Sequence, residues 1–233
     1  VLTDDKISSF AIYLKNEEKS KNTIEKYIRD VKLFFAYVKS AEITKEKVIA
    51  YKNKLICDNY AIRSVNSMLA SINSLFVFLG WLDLKAKNIK LQRQIYYPEE
   101  KELTKAEYLR LCRKAERKHN ERLNLILQTI CGTGIRVSEL QFITVEAVKS
   151  NVAIVSLKGK TRSVFIVKEL KKKLLRYAKN QNIKSGMIFV TRTGKAINRT
   201  NIWREMKSLC KDANVNPQKV FPHNLRHLFA RVF

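Results

Sequence analysis

The stretch CGTGIRVSEL, Cys131 to Leu140, closes an apolar run with two glycines, then sets an arginine and a glutamate three residues apart. A glycine turn of this kind lets backbone N–H groups and a guanidinium converge on one anion. The same spacing equally lets Arg136 pair with Glu139 along its own helix. Upstream, a capping box from Thr104 to Glu107 opens a helix that continues, in one or two segments, through Ile126, Ile130 and Cys131 until Gly132 and Gly134 stop it. Downstream, Val152 to Leu157 and Ser163 to Val167 are short and β-branched, and Lys158-Gly159-Lys160-Thr161 between them predicts a hairpin with a tight basic turn. Met187 to Val190 reads as a third strand. Helices over Leu170 to Ala178, Ile202 to Ala213 and from about His223 complete this half.

The N-terminal half is helical throughout. Ile7, Phe10, Ala11 and Leu14 form one apolar stripe, and Ile24, Tyr27, Ile28, Val31, Phe35 and Val38 a second. A third passes through Val48, Tyr51 and Leu55, and the fourth, Val65 to Leu79, closes at Gly80. Asn22 with Glu25, and Thr44, are read as N-terminal caps. The stretch from Lys85 to Lys101 loses periodicity, and Pro98 holds Tyr97 out of helical geometry. The predicted fold is mainly α with a small antiparallel sheet: a helical domain over residues 1–97, a linker over 98–103 and an α+β domain over 104–233.

Charge narrows the function. Lys and Arg number 46 against 21 Asp and Glu, a net +25, which points to a polyanionic partner. Nucleic acid fits better than membrane, because the cations are spread along the chain and no apolar run approaches the ~20 residues of a spanning helix. The four cysteines, Cys57, Cys112, Cys131 and Cys210, form no CxxC pair and read as reduced thiols of a cytoplasmic protein. No signal peptide, Walker A loop or two-metal acidic cluster is present, so neither a cofactor nor a metal is expected. His223 and His227 lie four residues apart, but without a third ligand they make a poor zinc site.

Near the end of the chain, FPHNLRHLFARVF, Phe221 to Phe233, puts His223 and Arg226 on one helical face. GTGIRVSEL, a lysine in a strand-turn-strand, and HNLRH, in that order, resemble the tyrosine recombinases: phage integrases, Xer-type resolvases and integrases of conjugative transposons. SKNTIEKYIRDVKLFFAYV, Ser20 to Val38, looks like that family's core-binding domain, so the resemblance covers nearly the whole chain. It implies a metal-free recombinase that cuts and rejoins double-stranded DNA through a 3′-phosphotyrosyl link, as a homo-oligomer on paired sites. Integration or excision of a mobile element is the expected setting.

Carried over by position, the resemblance makes Arg136 and Arg226 the catalytic arginines, His223 their histidine partner and Glu139 the acid that braces the first arginine. Lys158 is the expected general acid with Lys160 the runner-up, and His227 is a supporting residue. The physics suits these roles, since attack on a phosphodiester builds charge on two non-bridging oxygens that preorganised arginines stabilise. The family's third motif and its attacking tyrosine belong downstream of HxxR, whereas the nine tyrosines here end at Tyr177. The expectation is therefore a chain cut before its nucleophile, binding DNA without cleaving it. Further DNA contacts are expected from Lys21, Asn22, Thr23, Lys26, Arg29, Arg63 and Asn66 in the first domain, and from Arg162, Arg192, Asn198, Arg199 and Arg204 in the second. The rival readings are a DNA-binding protein of the same fold without the chemistry, and a type IB topoisomerase.

Overall fold

The computed structural model describes residues 3–39, 42–91, 99–157, 159–191 and 193–232. Two compact units divide it, Val1–Gln94 and Ile95–Phe233, each with its own hydrophobic core. Lys158 and Arg192 lie outside the described residues, as do the expected Tyr97–Pro98 break and the ends of the domains predicted there.

The first unit contains α1 (Asp4–Asn16), α2 (Lys21–Val38), α3 (Lys45–Cys57) and α4 (Ile62–Phe78). Their stripes meet as the periodicity predicts, with Phe10, Leu14, Val31, Val48, Leu69, Ile72 and Phe76 buried in one cluster; on α2 it is Phe34, outside the predicted stripe, that is fully buried there, and Phe35 only partly. Thr44 caps α3 as expected, whereas the cap of α2 is Ser20, whose hydroxyl accepts from Thr23 N–H, and not Asn22. Ser20 stands in extended geometry one residue before the helix, where a side-chain oxygen reaches the N3 amide, while Asn22 is already inside the first turn.

In the second unit α5 (Lys105–Arg117) opens on the Thr104–Glu107 capping box. The chain then breaks at His119, whose φ of 54° is left-handed, and α6 (Glu121–Thr133) follows. Gly132 stays helical, so Gly134 alone ends α6, at φ 63° with its N–H on Ile130 O. Arg136 precedes a six-residue 3-10 helix, Val137–Phe142, and then come α7 (Val145–Lys149), β1 (Val152–Leu157), β2 (Lys160–Phe165), α8 (Lys168–Asn180), α9 (Arg199–Cys210) and α10 (Pro222–Val232).

The sheet departs from expectation in two ways. β1 and β2 pair antiparallel from Val152↔Phe165 to Leu157↔Lys160, so Lys160 and Thr161 belong to the ladder and not to the turn. Gly159, at φ 72°, supplies the left-handed residue that a tight hairpin needs, which lets the strands run closer to the bend. Met187 to Val190 is no strand: its ends make only isolated bridges, Thr144↔Met187 and Val190↔Ala196. Ile188 and Phe189 are fully buried there, and a short buried apolar run reads alike whether or not it joins a ladder. Among the described helices, none is long and apolar enough to cross a membrane.

Candidate active site

Gly134 is where the site begins. A Cβ on it would stand 2.4 Å from Cδ1 of Phe229, so the missing side chain is what lets α10 lie against the end of α6. α10 is also fixed from below. Asn224 donates to the carbonyls of Lys101 (2.7 Å) and Lys219 (2.8 Å), Arg231 to Leu103 O (3.0 Å), and Leu225 and Leu228 are buried. Arg226 and His223 therefore project from a helix held at several points beside the turn that carries Arg136.

Glu139 organises the cations. The residue is 1% exposed, and its carboxylate accepts from Arg136 N–H (2.7 Å), Arg136 Nη1 (2.8 Å) and, across from β2, Arg162 Nη2 (2.6 Å). Burial pushes its carboxyl up, but those bonds from Arg136 and Arg162 outweigh burial and hold it below the usual carboxylate range. Of the two readings of the Arg136–Glu139 spacing, the pair is the one seen: the carboxylate holds both the backbone N–H and the guanidinium of Arg136.

Arg226 is the unbalanced member. Its Nη1 is buried with no acceptor among the described residues. Burial first, then the charges of Arg136 and Arg162, lower its pKa against the pull of Glu139. Three guanidinium groups near one carboxylate leave an excess of positive charge and a hydrogen-bond donor with no acceptor among the described residues. His223 stands next to it with Nε2 2.9 Å from Nε2 of His227, the two rings edge to face. Burial, His227, Arg226 and Arg136, in that order, hold the His223 pKa below its ordinary value, so the ring is neutral at pH 7.

A pH dependence follows. An anion among these cations favours charged His223 and raises its pKa, so the anion should bind more tightly as pH falls through the bound-state value, levelling off below the free-state value. Sulfate, which does not titrate in this range, is a suitable probe. The expected result is an upward move of the His223 NMR titration midpoint with sulfate, and loss of the pH dependence of sulfate affinity in His223→Gln. An unmoved midpoint would rule out an anion beside His223.

The other predicted residues are dispersed. Lys160 opens β2, exposed. In the first unit Lys26 gives its ammonium to Asp30 (2.8 Å), Ser71 Oγ (2.9 Å) and Ser67 O (2.6 Å), tying α2 to α4. Asn66 spends both ends of its amide on the backbone of Ile89, and Thr23 bonds Ser20 Oγ. Lys21 is exposed 3.9 Å from Glu25. Arg29 and Arg63 share with Lys26, Tyr60, Ser64 and Ser67 the lining of one cleft, and Asn22 is exposed at the start of α2. In the second unit Asn198 caps α9 through Thr200 N–H, and Arg199 and Arg204 are exposed on that helix. Sequence reasoning missed the bond between Arg162 and Glu139. The available signal was strand alternation, which puts Lys160 and Arg162 on one face of β2.

Known proteins share this arrangement of elements. The Phage integrase family profile matches residues 101–232, and that of the Phage integrase, N-terminal SAM-like domain matches residues 7–82. The tyrosine recombinase XerA of Pyrococcus horikoshii is 33% identical over 238 residues, covering 99% of this chain and 80% of the relative. XerA of Pyrococcus furiosus is 30% identical over 236 residues, 98% of this chain and 80% of the relative. Among solved structures, a lambda integrase (75–356) dimer bound to a COC′ core site has a TM-score of 0.79 at 16% identity, covering 100% of this chain and 86% of that one. The Tn1549 transposon integrase in complex with circular intermediate DNA has a TM-score of 0.72 at 18% identity, covering 96% and 85%. The likeness to these two structures is one of fold.

Proposed function

The chain belongs to the phage integrase family of tyrosine recombinases, and we propose that Arg136, Glu139, His223 and Arg226 form the pocket in which it holds the scissile phosphate of its recombination site. The observation that carries this reading is the buried, unpaired Nη1 of Arg226 among a surplus of cations. In it, Arg136 and Arg226 bond the non-bridging oxygens and stabilise the charge that develops on them during attack. Glu139 fixes Arg136. His223, neutral in the free protein, accepts or passes a proton beside the phosphate with His227 behind it. Lys158 protonates the leaving 5′ oxygen, with Lys160 the alternative donor.

The domain assignment is part of the same reading. Residues 1–97 form a DNA-gripping helical domain, 98–103 a linker and 104–233 the catalytic domain, supported by the two compact units and by the bounds of the two family profiles. The partner is double-stranded DNA, engaged in the cytoplasm by more than one copy of the chain, and cutting and rejoining proceed through a 3′-phosphotyrosyl link in a chain that carries the family's attacking tyrosine. Solved lambda integrases are found as a dimer on a core site and a tetramer on a Holliday junction. Integration or excision of a mobile element is the proposed outcome. On the first unit Arg63 remains the stronger candidate for phosphate contact, because Lys26 and Asn66 are engaged within the domain and Arg29, though exposed, stands 3.6 Å from Asp30 Oδ1.

The test is binding to a duplex recovered by repeated selection from a random-sequence pool. If six or more phosphates are neutralised, the slope of log affinity against log salt is about −5 or steeper, and each of Arg136→Ala and Arg226→Ala makes it shallower by about one. A flat salt response, or slopes unchanged in both variants, would overturn the assignment.

A further inference from the structure

We propose that Arg162 is a positioning residue for Arg136, acting through the shared carboxylate of Glu139, and not an independent phosphate anchor. The inference rests on the reading of the pocket as the phosphate site. It starts from geometry. Arg162 Nη2 lies 2.6 Å from Glu139 Oε2, the same oxygen that accepts Arg136 N–H at 2.7 Å, while Oε1 takes Arg136 Nη1 at 2.8 Å. One buried carboxylate is thus gripped by the backbone and side chain of the residue it orients, and by a cation from an element 23 residues further along.

An i,i+3 pair alone would restrain Arg136 weakly, because its guanidinium faces solvent and exposed pairs on one helix give little. The third bond comes from β2 and stops Glu139 from turning away. It also neutralises part of the repulsion between Arg136 and Arg162, both of which press on Arg226. The same bond ties β2 to the 3-10 helix. Lys160 and Arg162 lie two residues apart on that strand, so the bridge also fastens the strand that carries Lys160.

The experiment measures sulfate affinity of the 233-residue chain for wild type, Arg162→Ala, Arg136→Ala and the double variant, with the fold checked by near-UV circular dichroism. Arg162→Ala is expected to weaken sulfate about tenfold, the scale of one charge-assisted hydrogen bond. In the Arg136→Ala background the same change should cost less than about threefold, since there is no longer an Arg136 to position. Arg162→Lys, whose ammonium reaches Glu139 from the same stem, should restore most of the affinity; if Arg162→Ala does not fold, Arg162→Gln takes its place.

A spectroscopic signature accompanies this. Nη resonances of Arg136, separate in the wild type because rotation is restrained, should merge in Arg162→Ala and separate again in Arg162→Lys. A full tenfold loss in both backgrounds would mean that Arg162 touches the anion or acts through its charge alone, and would overturn the proposal, as would unmerged Arg136 resonances. If Arg136→Ala itself leaves sulfate affinity unchanged, it is the pocket reading that fails.

Discussion

Arg226→Ala is expected to lower the rate of strand cleavage by roughly 10²- to 10³-fold, the usual cost of removing one preorganised donor from a developing oxyanion. The measurement is a single-turnover assay on a nicked suicide duplex, in a chain that carries the family's attacking tyrosine. Retention of the duplex on a gel should change far less, because most of the binding comes from other phosphates. The argument is a difference between two states. In the free protein Arg226 Nη1 has lost water and gained no acceptor, and Arg136 and Arg162 stand close enough to lower its pKa. That unfavourable arrangement is relieved only when a phosphate arrives, and relieved most when its oxygens carry added charge.

The same logic gives a second readout for this side chain. Arg226→Met keeps most of the stem but removes the stranded donor and one of three like charges, so the free protein should become more stable, by about 1–2 kcal/mol. For a unit of this size that is a rise in melting temperature of several degrees. A variant that lost both cleavage and stability would show instead that Arg226 is a structural residue whose charge is paired in solution.

Much of this was legible in the sequence, for reasons that differ by element. The helical half reads cleanly because its stripes repeat over three and four residues and end in cap chemistry, as at Thr44 and at Thr104 with Glu107. The arginine pair is legible as two short motifs, and the close approach of Gly134 to Phe229 is the physical reason they converge. What sequence patterns do not carry is the partner of a polar side chain. Lys26 on α2 and Asn66 on α4 read as DNA contacts, and each also has a partner within the domain: one is bound to Asp30 and Ser71 and the other clips the segment at Ile89 to α4. Arg162 looks like a surface cation until the fold brings Glu139 beneath it. The Met187–Val190 segment fails for another reason: a short apolar run reads as a strand whether or not it pairs, and here only its ends make isolated bridges.

Gly134→Ala should be the most damaging single methyl addition in the second unit. Two costs combine. At φ 63° an alanine pays about 1–2 kcal/mol for the left-handed conformation, and its Cβ would stand 2.4 Å from Phe229 Cδ1, an overlap whose relief costs about 1–3 kcal/mol more. Together they should lower the melting temperature by roughly 10 °C. The two are separable, because Phe229→Ala removes the overlap and leaves the backbone cost. In that background Gly134→Ala should cost only about 1–2 kcal/mol, and the difference between the two measurements is the contact itself. The consequence reaches the site to the extent that the overlap is relieved by moving α10 and not by turning the Phe229 ring alone, because α10 carries His223 and Arg226. Sulfate affinity should therefore fall in Gly134→Ala and recover in part in the double variant, whereas equal costs in both backgrounds would mean that the ring is not what holds the glycine in place.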